Sequence, residues 1–354
     1  MKKTNEAKNA AGVKRTNTST NTKKTGTASR KRRRSCLVPL KLAALSAGCL
    51  AAGAAALYTE VVTIAVARRK NKVMDLLASR ALSDVSTEQQ TTEESVRIMD
   101  SLPTEETSIV NRDGLTLKGH WLHTESPRRM LIMVHGWHGG WKSDFGVSAP
   151  FYRDCGSEVL YVEQRCHGES EGKLISYGIR ERFDVLDWIE YARSVHPELP
   201  LYLCGISMGA ATVLMCAGDP IADKVTAIIA DCGYTSPSEI ISSSISGLMG
   251  KVTDVTMAAV NLNCKLREGF DFDEYSTLIA MEKDTEIPVF FIHGDEDDFV
   301  PVRMSMENYM ACCAPREILI VHGANHGTSY LVDTDTYQKR TLAFFDKWDD
   351  RLKG

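Results

Sequence analysis

What this sequence lacks narrows its identity first. Its ten cysteines form no CxxC pair and no framework spacing, so neither a disulfide-stapled small fold nor a zinc ribbon fits. No G-x-x-x-x-G-K-[ST] loop and no G-x-G-x-x-G turn occurs, which excludes the common nucleotide phosphate cradles. His120 with His123, and His322 with His326, have metal-like spacing, but neither pair has a third ligand at a credible offset; no metal and no cofactor is expected. Acids are nearly missing from residues 1–41, where Glu6 stands alone among Lys and Arg. With so little to bury, that arm is expected to be disordered. The whole chain carries a net charge of −4, so the remainder is acidic and nucleic acid is not expected as its partner. A nucleic-acid role confined to the basic arm ranks last among the readings of this chain.

The arm leads into a stretch that lacks charge. Residues 42–66, LAALSAGCLAAGAAALYTEVVTIAV, hold only Glu60, near the far end. A helix of that length, at about 1.5 Å per residue, crosses a hydrocarbon layer about 30 Å thick. The basic flank is heavier on the N-terminal side, which predicts a cytosolic N-terminus and a single-pass signal anchor, with the domain outside the cytoplasm. Rival readings are a cleaved signal peptide ending near Ala54-Ala55-Ala56, which would give a secreted product, a lipoprotein box at Cys49, and a twin-arginine signal at Arg33-Arg34. Unpaired cysteines sit awkwardly with export; Cys204 and Cys216 lie in apolar runs and read as small core residues. Residues 67–106 are polar and read as a stalk.

From residue 107 the pattern becomes regular. Two β-type runs flank Asp113-Gly114, a hairpin turn signal. Six short apolar runs follow, at 130–136, 158–165, 201–207, 225–233, 288–294 and 317–323. Their hydrophobicity is continuous rather than alternating, as for strands covered on both faces. Helical patterns separate them at 177–195, 208–218 and 302–313, and another closes the chain at 336–352. The first of these helices should turn Ile179, Phe183, Leu186, Ile189 and Tyr191 inward; Met304, Met306 and Met310 read as core. This alternation predicts an α/β fold, a doubly wound and mostly parallel sheet, over 107–354. Residues 234–285 are Ser-rich and lack a strand, and are expected to form a short helical lid.

The chemistry concentrates at Gly205-Ile206-Ser207-Met208-Gly209, a G-x-S-x-G at a strand-to-helix junction. A turn this tight leaves no room for side chains at Gly205 and Gly209. It lifts Ser207 above the sheet edge, at the positive end of the new helix. A serine hydroxyl needs a base. Of the nine histidines, His326 lies in the loop beyond the last strand and is the candidate; His322 ends that strand and reads as structural. The acid is sought in Asp295, Glu296, Asp297 and Asp298 after the penultimate strand. Trp137 and Trp141 line the pocket mouth or pack its loop.

Together, His135-Gly136, the elbow at 205–209, HGxxDxxVP at 293–301 and His326 resemble the α/β-hydrolase superfamily over residues 107–350, in particular bacterial esterase/lipase and serine-peptidase-like members. The resemblance implies that Asp297 is the triad acid, with Asp298 the main rival and Asp231 a minor one. It implies an oxyanion hole of two backbone amides, at Met208 and at Trp137, with His138 as the alternative to Trp137. Residues 163–172, EQRCHGESEG, fill the place of a DxRGxGxS turn and read as structural. The function implied is hydrolysis of a carboxylic ester through an acyl-enzyme, with a small ester or acyl compound as substrate. Amidase, aminopeptidase or thioesterase activity would use the same residues, and a membrane-tethered binding protein that has lost the chemistry is the competing class.

Overall fold

The computed structural model describes residues 85–352 apart from 222, 250–253 and 284. The basic arm 1–41, the apolar segment 42–66 and the stalk's first part, 67–84, lie outside the described residues. Among the described residues no helix is long and apolar enough to cross a membrane.

The first described helix, α1 (Val85–Asp100), precedes β1 (Thr104–Val110), β2 (Thr116–Leu122) and β3 (Arg129–Val134). Short helices α2 (Trp141–Phe145) and α3 (Ala149–Asp154) lead to β4 (Ser157–Val162), α4 (Glu181–Val195), β5 (Leu201–Ile206) and α5 (Met208–Cys216). After β6 (Ala227–Asp231) come three helices, α6 (Pro237–Met249), α7 (Asp254–Glu268) and α8 (Thr277–Met281). The chain closes with β7 (Val289–Gly294), α9 (Val302–Ala311), β8 (Arg316–Val321), α10 (Ser329–Val332) and α11 (Thr334–Trp348). The strands form one eight-stranded sheet in the order β1-β2-β4-β3-β5-β6-β7-β8. β1 and β2 are an antiparallel hairpin, β2 is antiparallel to β4, and every other pairing is parallel.

The continuous apolar runs serve two cores at once. Successive strand side chains point to opposite faces. Leu201, Leu203, Val289 and Phe291 therefore pack with α4, α5 and α8, while Tyr202, Cys204, Phe290 and Ile292 pack with α2, α3 and α11. Strands buried on both faces have no reason to alternate polar with apolar, which is why the runs were legible as a parallel sheet. Cys204 and Cys216 are buried, and the described cysteines are free thiols.

Three expectations change. The end of the predicted stalk belongs to the domain: Met99 is fully buried in the core beneath α2, Ser95 donates to the Lys142 carbonyl, and β1 begins at Thr104. The α4 stripe is rotated. Its buried residues are Glu181, Asp184, Val185, Trp188, Ile189 and Ala192, whereas Phe183, Leu186 and Tyr191 are only partly covered. The two buried acids explain the shift: Asp184 takes a two-pronged bond from Arg165, and Glu181 accepts from Ser176 and Gly178. Of the methionines in α9 only Met304 is core; Met306 and Met310 are exposed.

The insertion contributes helices α6, α7 and α8, of which the first two cover the sheet end. Ile240 and Ile241 of α6 and Met257, Val260 and Cys264 of α7 pack with Tyr177, Met208 and Met304. Helix α8 instead joins the main core through Ala280 and Met281, tied down by Thr277 to the Tyr234 carbonyl and to Asn308.

Candidate active site

The site forms where β3, β5, β6, β7 and β8 end, and tight backbone packing sets its shape. A methyl on Gly205 would come within 2.3 Å of the Gly209 carbonyl, and one on Gly209 within 1.9 Å of the Val134 carbonyl. Neither position accepts a side chain. Ser207, between them, is held at φ 55°, ψ −118°, a region L-residues seldom occupy and one that clusters at functional turns. Its amide donates to the Asp231 carbonyl at 2.8 Å, which fixes the turn against the neighbouring strand.

Three loops meet above this turn. Ser207 Oγ lies 2.9 Å from His326 Nε2, and His326 Nδ1 lies 2.8 Å from Asp297 Oδ2. Asp297 also accepts from the amides of Phe299 and Val300 through Oδ1, at 3.0 and 2.7 Å. His293 Nε2 approaches its Oδ2 at 3.1 Å. Burial alone would push the Asp297 pKa up. The neighbouring His326 and His293 outweigh that and hold it well below the usual carboxylate range, so Asp297 is an anion whose lone pairs are all directed. For His326, burial opposes the proton, but Cys232 and Asp297 beside it outweigh burial and raise its pKa well above an ordinary histidine's.

The rival acids are placed elsewhere. Asp298 is exposed. Asp231 is buried, accepts from Ser329 Oγ at 3.2 Å, and is pushed by burial to about 6. His322 turns outward, 89% exposed, and pairs with Asp295 at 2.7 Å. The spacing His322-x₃-His326 therefore brings no two imidazoles to one ligand point.

The loop 135–140 lies against Ser207: a methyl on Gly136 would sit 3.4 Å from Ser207 Cβ. Asp144 at the start of α2 pins this loop. Its carboxylate accepts from Gly136 N at 2.8 Å and Gly140 N at 3.3 Å, and Gly139 packs so close that a methyl would lie 2.4 Å from Oδ2. His138 sits at φ 50°, and its amide donates to His167 Nε2 at 3.0 Å. That bond removes His138 as the alternative oxyanion donor and leaves the stretch through Trp137 beside the serine. Met208, the first residue of α5, follows Ser207, its side chain buried under α6 and α7.

Sequence reasoning missed Asp144 and His167 as supports of this loop, because their partners are backbone amides whose geometry no spacing rule records. Thr212 Oγ1 joins the two sides: it bonds the Met208 carbonyl and Gln164, whose side chain donates to the His135 carbonyl. The turn 163–172 is otherwise structural, as its residues bond one another and the β1–β2 hairpin: Arg165 binds Asp184 and Asp113, Glu163 takes the Glu169 amide and approaches His120, and Ser170 bonds the Glu163 carbonyl. Trp141 packs into the core and stacks on His120 at 3.9 Å, whereas half-covered Trp137 lies near Tyr177. A cleft of about 360 Å³ lined by Arg128, Glu198, Asp346 and Asp349 opens at the opposite ends of the strands and holds no nucleophile–base pair.

Among His, Cys, Asp and Glu side chains that could share a metal ion, Cys232, Asp297 and His326 bring one ligand atom each within 4.8 Å of the others. Cys232 follows β6 and sits at φ 48°.

Comparison with known proteins places this geometry in context. The sequence model of the family described as "Serine aminopeptidase, S33" matches residues 125–284, a span that holds Ser207 and stops short of Asp297 and His326. The uncharacterized protein YqkD of Bacillus subtilis is 29% identical over 67% of this chain and 77% of its own length. Among solved structures, the Pyrococcus furiosus esterase Pf2001 aligns with a TM-score of 0.57 at 20% identity, covering 70% of this chain and 94% of that one. The acylaminoacyl peptidase of Pyrococcus horikoshii aligns at 0.52 and 20% identity over 72% of this chain and 43% of its own. At such identities the two structures share a fold with this chain; they do not transfer a substrate.

Proposed function

We propose that the chain is a serine hydrolase of the α/β-hydrolase superfamily that cleaves carboxylic esters through an acyl-enzyme; the family match over residues 125–284 and the fold shared with a solved esterase support this reading. One observation carries the reading: a hydroxyl, an imidazole and a buried carboxylate from three separate loops form a continuous relay with links of 2.9 and 2.8 Å. In this reading His326 takes the Ser207 proton as Oγ attacks the carbonyl carbon, and Asp297 holds the imidazolium that results. The amides of Trp137 and Met208 receive the oxyanion. His326 then returns its proton to the leaving group, activates water, and the acyl group departs as an acid.

A second reading, amide or peptide hydrolysis at the same residues, is favoured by the serine-aminopeptidase description of the matching family. The two part on substrate. Activity on p-nitrophenyl esters of graded chain length, exceeding that on anilides of the same acyl groups beyond their difference in intrinsic reactivity, supports the ester reading. Both require Ser207 to be nucleophilic. A fluorophosphonate probe should label the wild type and not Ser207→Ala, and that variant should lose at least ~10⁴-fold in kcat/KM. A wild-type chain that takes no label points to a binding protein on a hydrolase fold.

A further inference from the structure

Cys232 plays no part in the relay, yet it stands inside it. Its sulfur, an Asp297 oxygen and a His326 nitrogen lie within 4.8 Å of one another. The cysteine side chain is almost fully buried, Asp297 is buried, and the His326 side chain is 15% exposed. Sulfur, imidazole and carboxylate together make a ligand set that a borderline divalent ion such as zinc accepts, with a fourth position left for water.

We propose that Cys232, Asp297 and His326 form an inhibitory binding site for zinc. Both His326 nitrogens are already committed, Nδ1 to Asp297 and Nε2 to Ser207. Whichever nitrogen the ion takes, one link of the relay is lost. Coordination at Nε2 removes the base from the serine; coordination at Nδ1 displaces the carboxylate bond that orients the ring. An Asp297 oxygen given to the ion weakens the same link. The thiol gives up its proton to solvent as sulfur binds, no electron is transferred, and a chelator restores the resting site.

The rate consequence rests on the proposed hydrolase activity, whereas the binding itself does not, so two measurements separate them. Cobalt(II) titrated into full-length Ser207→Ala should produce a thiolate-to-cobalt charge-transfer band in the near ultraviolet. Cys232→Ser, Cys232→Ala and His326→Ala, each built on that background, should abolish it or shift it to much higher cobalt. In the wild type zinc should inhibit p-nitrophenyl ester hydrolysis reversibly. In Cys232→Ser, measured against its own zinc-free rate, the half-inhibitory zinc concentration should rise about 10- to 100-fold, the range known for losing even an outer-shell partner of a metal. Absence of the band in Ser207→Ala, or its persistence without Cys232, overturns the site. A band without any ester hydrolysis sinks the ester reading and leaves the site standing.

Discussion

His326 is pulled two ways. Burial favours the neutral ring, while Cys232 and Asp297 favour the cation and prevail. A general base must be neutral to accept the serine proton, so a raised pKa delays activity to higher pH. The kcat/KM profile should fall as pH drops through a midpoint above the ordinary histidine value of 6.5. Asp297→Asn removes the nearest negative charge, so its midpoint should move to lower pH while the plateau drops by about 10⁴-fold. A midpoint that stays put in that variant would mean the carboxylate does not set the base.

At the scale of elements, the loop after β3 would serve the proposed reaction through its backbone, and Asp144 holds its geometry. That carboxylate accepts two loop amides, at Gly136 and Gly140, and a third bond from Ser143 Oγ at 2.7 Å. Asp144→Ala should lower kcat about 10- to 100-fold with little change in KM. In the proposed mechanism the displaced amide is one that stabilises charge developing only in the transition state. Fluorophosphonate labelling of Ser207 should slow in parallel, whereas equal losses in binding and turnover would point to general misfolding.

Elements also mark where sequence reading succeeds and stops. Strands β3 to β7 are legible because two-sided burial leaves unbroken apolar runs, β8 by its apolar run although it is only partly covered, and the elbow because G-x-S-x-G at a strand-to-helix junction is itself a local pattern. Asp297 and His326 were sought by their place after the last two strands, and the fold brings both to Ser207. Asp144 and Cys232 were not singled out, and His167 was read only as part of a structural turn: Asp144 acts on backbone amides that no spacing rule records, while His167 and Cys232 meet partners far away in sequence. The stripe of α4 was misjudged for a related reason: hydrophobic periodicity cannot reveal that Asp184 is buried against Arg165. Likewise α1 carries so few apolar side chains that Met99 alone gave little sign of a docked helix.

For the molecule as a whole, we propose that the segments before residue 85 decide where the domain operates. The apolar span 42–66 predicts an anchor. The full chain should pellet with membranes and resist high-salt and carbonate washes, while a chain beginning after Lys72 should remain in the supernatant. A full chain released by salt alone would leave the basic arm as its only attachment.

The far end of the chain carries a consequence for timing. Arg129 opens β3 fully buried, and its guanidinium is met by Asp349, just past α11, at 2.7 Å. Leaving such a charge unanswered costs about 3–5 kcal/mol. His326 enters only after β8, which pairs with β7 and is followed by α10 and α11. A nascent chain emerging from the ribosome therefore holds its serine long before it holds the imidazole or the counter-ion that clamps the last helix. In the proposed hydrolase the site would stay latent until the segment through Asp349 has docked.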